Sequence, residues 1–500
     1  MSCTVVINTS PMSFRVKIEK NGCLEGTTVF LNDYCRKFVS FKYNNLYRTM
    51  VAHSIFRYYN KKTHELYLPR FDLDNFTAFL TSRGVRYIIN ELPRCYGKQV
   101  DIKVHDWFKP KSEIQEKSIL YLTTSLTPVR GLNIQPGAGK TAAFIKSSAD
   151  LGVRTMIRVG GMVEQWVNEI KKYTTCTDDD IYVIQGAASI KKLYEGIDKT
   201  IFPKYIVASL RTLQFYAEDS DPNSQLPPFD EFFNRCKIGV SGVDEAHLNF
   251  HANYIIDMRT NAGIIIPLTA TFKVADEKAK EIFDLHYPLD MRFGGQYYTK
   301  YVDIIAVRYM QASQVGLPMK LFKGSNGYSH IKFESWLLTK GRRSHLEPYV
   351  NSVILPLMHS YYISRKEEGE KALVLCSTKE MCRYYIDRFK EVFPDLKIEL
   401  YVSESPDSIL TEADIIVSTT GSAGTGRDIK RLRFCLNTIS IRSEPTNEQI
   451  LGRLRELTYS EIPPVFAYPF WACIPSHRDH AQFREQLYRP RGRSFATINY

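Results

Sequence analysis

The sequence predicts an α/β protein in which two parallel-sheet units follow a small α+β module, and three observations lead there. Over residues 107–285 short apolar runs alternate with longer helical stretches, and a second alternation of the same kind covers 347–418. A glycine-rich loop, Ile134-Gln-Pro-Gly-Ala-Gly-Lys-Thr141, stands between the first apolar run and a helix start. Strands that alternate with helices wind into a parallel sheet, because each crossover helix covers one of its faces. A chain of 500 residues also exceeds what one ordinary core holds.

Taken in order, residues 1–105 are rich in aromatics and in short period-two runs, such as 13–19 and 65–68, and are expected to form an N-terminal accessory domain. Strands at 132–134, 155–159, 205–208, 238–243 and 263–268, with a helix over 161–173, are expected to build a first lobe over 106–285. Residues 286–345 are less regular and carry the basic run Lys340-Gly-Arg-Arg343, which reads as a connector or insertion. A second lobe is expected over 346–500. Its elements are helices at 347–365 and 379–392 and strands at 372–376, 397–402 and 414–418, and its basic end, 489–493, reads as a solvated terminus.

Hydrophobic residues make up 44% of the chain and charged residues 24%, which is globular usage. The 66 Lys and Arg outnumber the 54 Asp and Glu, a formal charge of +12 that favours a polyanionic partner. The ten cysteines form no CxxC pair and no zinc-spaced cluster, so they are expected to be reduced thiols in a cytoplasmic setting. The first residues lack the layout of a signal peptide, and no apolar run approaches the roughly 18 to 20 residues of a membrane span. Secretion and membrane insertion are therefore not expected.

The glycine-rich loop has the chemistry of a phosphate cradle. Gly137, Ala138 and Gly139 let backbone N–H groups wrap phosphate oxygens, Lys140 reaches the β and γ phosphates, and the Thr141 hydroxyl can hold Mg2+. The alternative is a structural glycine turn. Val243-Asp-Glu-Ala-His247 follows a second apolar run, so Asp244 is placed at a strand end as a Mg2+ carboxylate and Glu245 as the base that activates water. Without a phosphate loop the same four residues would be an ordinary strand-to-helix cap. Gln449-Ile-Leu-Gly-Arg-Leu-Arg455 offers two arginines, Arg453 and Arg455, for charge that develops on a γ phosphate.

Together these residues resemble the motifs of superfamily 2 helicases, in order from about residue 107 to 455. The phosphate loop resembles motif I and Val243-Asp-Glu-Ala-His247 motif II; Gln165-Trp166 resembles the QW form of motif Ia, and Ser209 to Leu213 falls where motif Ib sits. Leu268-Thr-Ala-Thr271 resembles motif III, Thr420 with Gly426-Arg-Asp428 motif V, and Gln449 with Gly452-Arg453 motif VI. The resemblance implies two tandem RecA-like lobes, ATP and Mg2+ as ligands, and lobe closure on nucleotide. It also implies that Gln115 reads adenine, that Gly426 and Asp428 contact nucleotide, and that Thr212 and Thr420 contact nucleic-acid phosphates.

Two features depart from the pattern. Ile134 stands where the strict phosphate loop has glycine, and in motif VI the second arginine comes one place early, with Glu456 in the usual position. QW, TAT and the Gly-Thr-Gly-Arg-Asp-Ile-Lys of motif V are more similar to the DNA-acting branch that holds UvsW-type phage helicases, RecG and XPB than to DEAD-box proteins. That likeness implies an ATP-dependent DNA helicase or translocase of a phage, working in the host cytoplasm on branched or partly single-stranded DNA beside replication or recombination proteins. An RNA helicase or transcript-release ATPase, and a nucleotide-gated binding adaptor, are the alternatives; polarity and oligomeric state are open.

Overall fold

The computed structural model describes residues 4–19, 31–44, 49–60, 62–135, 137–218, 226–270, 272, 274, 277–294, 300–310, 317–324, 327–402, 404–423 and 429–500. The chain divides into two compact units, Met1–Tyr297 and Tyr298–Tyr500.

The first unit is built on a seven-stranded sheet in the order Ile181–Ile184, Tyr205–Ser209, Thr155–Val159, Val240–Val243, Ile264–Thr269, Gly131–Asn133, Arg292–Phe293. Every neighbouring pair is parallel. The central strands Thr155–Val159 and Val240–Val243 are buried throughout, which is why they read in sequence as continuous runs and not as alternations. Helices Lys140–Leu151 and Val163–Tyr173 connect strands of this sheet and bury Phe144, Ile145, Trp166 and Ile170.

The first ninety residues form a five-stranded, mostly antiparallel sheet, Tyr58–Asn60, Glu65–Pro69, Ser13–Glu19, Thr4–Thr9, Arg86–Glu91, backed by helix Leu73–Ser82. A hairpin, Val39–Asn44 with Thr49–Ile55, stands beside it. This module shares one hydrophobic core with the seven-stranded sheet. It docks on helix Phe250–Met258: Phe56 stacks on Phe250 at 5.5 Å, Tyr254 donates to the Phe56 carbonyl at 2.6 Å, and Ser13 donates to the Met258 carbonyl at 2.6 Å. Asp230 collects Arg15, Tyr67 and Arg259 at the same seam. The N-terminal residues thus belong to the same compact unit as the first sheet.

The second unit holds another seven-stranded parallel sheet, Ile398–Tyr401, Ile415–Thr419, Lys371–Cys376, Leu432–Asn437, Val465–Trp471, Asp303–Tyr309, Ser494–Asn499. Two of these strands correct the reading of the sequence. Asp303–Tyr309 lies inside the range expected to be a connector, and the residues after the basic run are no free tail: Ser494–Asn499 pairs with Asp303–Tyr309, and Arg493 grips the Asp303 carboxylate with two contacts of 2.9 Å. A single strand carries no periodic signal strong enough to outweigh irregular flanks; its partners, remote in sequence, make it a strand.

The helix expected over 347–365 runs from Arg343 to Ile363 with π-helical turns at Val350–Ile354 and His359–Ile363. Pro348 and Pro356 lie within it, and a proline lacks the N–H that an α-helical bond to the preceding turn would use. The eight cysteines among the described residues are free, and all but Cys473 are buried. No helix among the described residues is long and apolar enough to cross a membrane.

One buried polar cluster sets an acid limit on the second unit. The Tyr328 hydroxyl lies 3.0 Å from Nδ1 of His330 and 2.5 Å from Nε2 of His477, with His480 held at 2.9 Å by the Ser440 hydroxyl and Arg484 nearby. Burial lowers His330 to about 3 and His477 well below its ordinary value, whereas burial raises Glu334, beside His330, to about 7. As pH falls below the ordinary histidine value of 6.5 the two imidazoles stay neutral when folded but take up protons when unfolded, so stability present above that pH is lost. Glu334 works in the opposite sense, since it is protonated earlier in the folded state. The lowered histidines, His480 among them, outnumber Glu334, so a net loss of stability remains as pH falls below 6.5. Calorimetry is expected to show the melting transition of residues 298–500 falling from pH 7 to pH 5, and His477→Gln to flatten that fall; a flat wild-type profile contradicts it.

Candidate active site

The glycine-rich loop follows strand Gly131–Asn133 and turns sharply into helix Lys140–Leu151. Gly137 and Gly139 have φ of 85° and 87°, the left-handed region that side chains rarely adopt, and Gly139 caps the helix. A Cβ at Gly139 would sit 2.2 Å from Nε2 of Gln115. The first turn of the helix leaves backbone N–H groups without intrahelical acceptors, and the helix dipole favours an anion there. Thr141 follows Lys140 in that turn and is half-buried. The N–H of Ala138, expected to face phosphate, turns back to the Gln135 carbonyl at 3.1 Å.

Gln115, which the resemblance assigns to adenine, packs beside the glycine turn. It is fully buried; its Oε1 accepts the Lys111 N–H at 2.6 Å and its Nε2 donates to the Gly139 carbonyl at 3.1 Å. Its amide therefore braces the glycine-rich loop from inside.

Asp244 and Glu245 follow the end of strand Val240–Val243. The Lys140 ammonium lies 3.2 Å from Oε1 of Glu245, so two motifs a hundred residues apart meet as an ion pair. Glu245 itself has φ of 44°, a conformation uncommon for a residue with a side chain and held here by the Leu248 N–H donating to the Glu245 carbonyl at 2.7 Å. Burial, then the neighbouring Glu245 charge, pushes the Asp244 carboxyl up to about 6, against the pull of Trp166 and Lys140. A cation beside it would restore the carboxylate. The hard oxygen donors of Asp244 and Thr141 suit Mg2+.

His247 completes the motif. Burial lowers it to about 4, which keeps the ring neutral, and its Nδ1 lies 2.6 Å from the Thr269 hydroxyl at the end of strand Ile264–Thr269 and 3.4 Å from Glu245. Thr269 and His247 were visible only as members of motif strings; their contact needs two strands brought side by side. Thr271 of the same string lies outside the described residues. Thr212, on helix Leu210–Ala217, accepts the Gly186 N–H at 3.0 Å.

In the second unit, Thr420 opens the short helix Thr420–Ala423 directly after strand Ile415–Thr419. Gly426 and Asp428 lie outside the described residues. Helix Glu444–Leu451 is capped by Ser443 and is followed by Arg453, which is buried, and Arg455, which donates to the Gly452 carbonyl and is a hydrogen-bond partner of Tyr301.

No family model and no curated protein matches the chain. Solved structures do resemble it. Dbp5 of S. cerevisiae, bound to RNA and ADP BeF3, aligns with 14% identity and a TM-score of 0.50 over 79% of this chain and 90% of that one. The ATP-dependent Type ISP restriction-modification enzyme LlaBIII, bound to DNA, gives 12% identity and 0.50 over 85% and 34%. T4 UvsW covers 100% of this chain and 99% of its own at 15% identity, with a TM-score of 0.36. The fold is thereby defined as tandem RecA-like lobes after a small N-terminal sheet.

Gly139→Ala is expected to weaken binding of a fluorescent ATP analogue by about five- to a hundredfold, since strain of roughly 1 to 3 kcal/mol falls on the loop. Adding Gln115→Ala removes the clashing amide and is expected to restore part of that affinity; undiminished binding by the single variant contradicts the loop conformation.

Proposed function

We propose that the protein is a nucleic-acid-dependent ATPase that unwinds or remodels branched or partly single-stranded DNA. The observation that carries the reading is the Lys140–Glu245 pair at 3.2 Å beside Asp244, at the head of a helix that begins with two left-handed glycines. Gly137, Gly139, Lys140 and Thr141 would hold the phosphates, and Thr141 with Asp244 would hold Mg2+, which when bound would supply neutralisation of phosphate charge. When a γ phosphate draws Lys140 away, Glu245 is left to accept the proton of the attacking water. The water oxygen bonds to the γ phosphorus as the bond to the β-bridging oxygen breaks, giving ADP and phosphate. Arg453 steadies the charge on the transferred group, and Arg455, held by its neighbours, serves the shape of that turn.

Residues 106–285 act in this reading as the first motor lobe and the second unit as its partner, with Thr420 and Thr212 at nucleic-acid phosphates. Residues 1–105 are the accessory grip: they hold 16 Lys and Arg against 8 Asp and Glu, a large share of the +12 formal charge of the chain. A polyanion released from such a surface would take back its counterions, so binding should weaken steeply with salt. Phage origin, work in the host cytoplasm and replication or recombination partners complete the proposal.

Steady-state ATP hydrolysis at fixed low salt is expected to rise most with forked or four-way DNA, less with single strands and least with RNA; selective stimulation by RNA replaces the substrate but keeps the motor. Lys140→Ala is expected to abolish turnover with the fold intact, and retained turnover excludes the phosphate loop. Arg453→Ala is expected to lower kcat far more than nucleotide affinity.

A further inference from the structure

Trp166 lies on helix Val163–Tyr173, almost fully buried, with its indole edge-on to Phe144 of the phosphate-loop helix at 5.7 Å and 89°. Its Nε1–H donates to Oδ2 of Asp244 at 2.8 Å. Phe144 in turn fills the space over Gly242, where a Cβ would meet its ring at 2.5 Å. The Asp244 N–H is fixed to the Arg158 carbonyl at 3.0 Å. Backbone and one carboxylate oxygen of Asp244 are thus both held, by the Arg158 carbonyl and the Trp166 indole.

We infer that Trp166 is a positioning residue for the metal carboxylate: by tying Oδ2 of Asp244 it fixes the side-chain rotamer and leaves Oδ1 as the oxygen that meets Mg2+ with its bound nucleotide. The inference rests on the phosphate-loop reading. An indole N–H can donate but never accept, so its partner must be an acceptor oxygen, which is the form a cation needs. A hydrogen-bonded partner behind a metal ligand typically governs metal affinity by about 10- to 100-fold. The ring packing on Phe144 and the hydrogen bond to Asp244 are separable, because phenylalanine keeps an aromatic face and loses only the donor.

The test is a Mg2+ titration of the full-length protein with N-methylanthraniloyl-ADP, wild type against Trp166→Phe. The half-saturating Mg2+ concentration is expected to rise about tenfold, with nucleotide affinity in EDTA and melting temperature unchanged, a pattern that a merely structural loss would not give. An equal Mg2+ requirement in the two proteins overturns the inference while leaving the phosphate loop standing. A wild type that fails to bind the nucleotide at any Mg2+ concentration overturns the phosphate loop and the inference with it. Should Trp166→Phe not fold, the indole N–H spectrum of the four tryptophans in wild type and Asp244→Asn decides: one indole resonance is expected to move, and four unmoved resonances overturn the inference.

Discussion

The first unit depends on a constraint of parallel sheets: strands buried on both faces can present polar side chains only where they end. Gly131–Asn133, Val240–Val243 and Ile264–Thr269 run side by side in one direction, so the loops that leave them share one edge of the sheet. Lys140, Asp244, Glu245, His247 and Thr269 all stand at or just past those ends. Their mutual contacts follow from the strand order, with the left-handed turns at Gly139 and Glu245 making the final approach.

Behind that edge the polar groups are held by others that never reach it. Arg158, in the strand next to Asp244, is fully buried and pairs with Asp257, which also receives the Tyr287 hydroxyl at 2.6 Å and lies 3.1 Å from His286. In the second unit the fully buried Arg484 is held by neutral acceptors, donating to the Asn447 side chain on the helix that precedes Arg453 and to the Ile439 carbonyl. Burying a guanidinium is costly unless it is paired, and breaking such a pair leaves a charge without a counterpart. These networks therefore fix the carriers of the site more firmly than their surface counterparts could.

Helix Phe250–Met258 has two loads. It follows the Asp244–His247 segment within three residues, and the N-terminal module rests on it through Phe56 and Ser13. Tyr254 and Phe250 are core to both, so the basic module and the Asp244–His247 segment share one support within the first unit.

What the sequence determined by itself was local: the parallel-strand runs, the helix over Lys379–Val392 to the residue, the glycine turn ahead of helix Lys140–Leu151, and Asp244-Glu245 at a strand end. Each is written in neighbouring residues, as continuous burial, helical period or glycine spacing. Tertiary structure alone decided the rest. Asp303–Tyr309 and Ser494–Asn499 are strands because each meets the other, nearly two hundred residues away, and Gln115 braces the loop because Gly139 has no Cβ to exclude it. Trp166 reads in sequence as half of the QW pair that resembles motif Ia; only the meeting of its helix with the segment of Asp244 gives its N–H a carboxylate to hold. Residues that act through partners distant in the chain leave no periodic trace, because the free energy that places them comes from contacts made only when the sheet is complete.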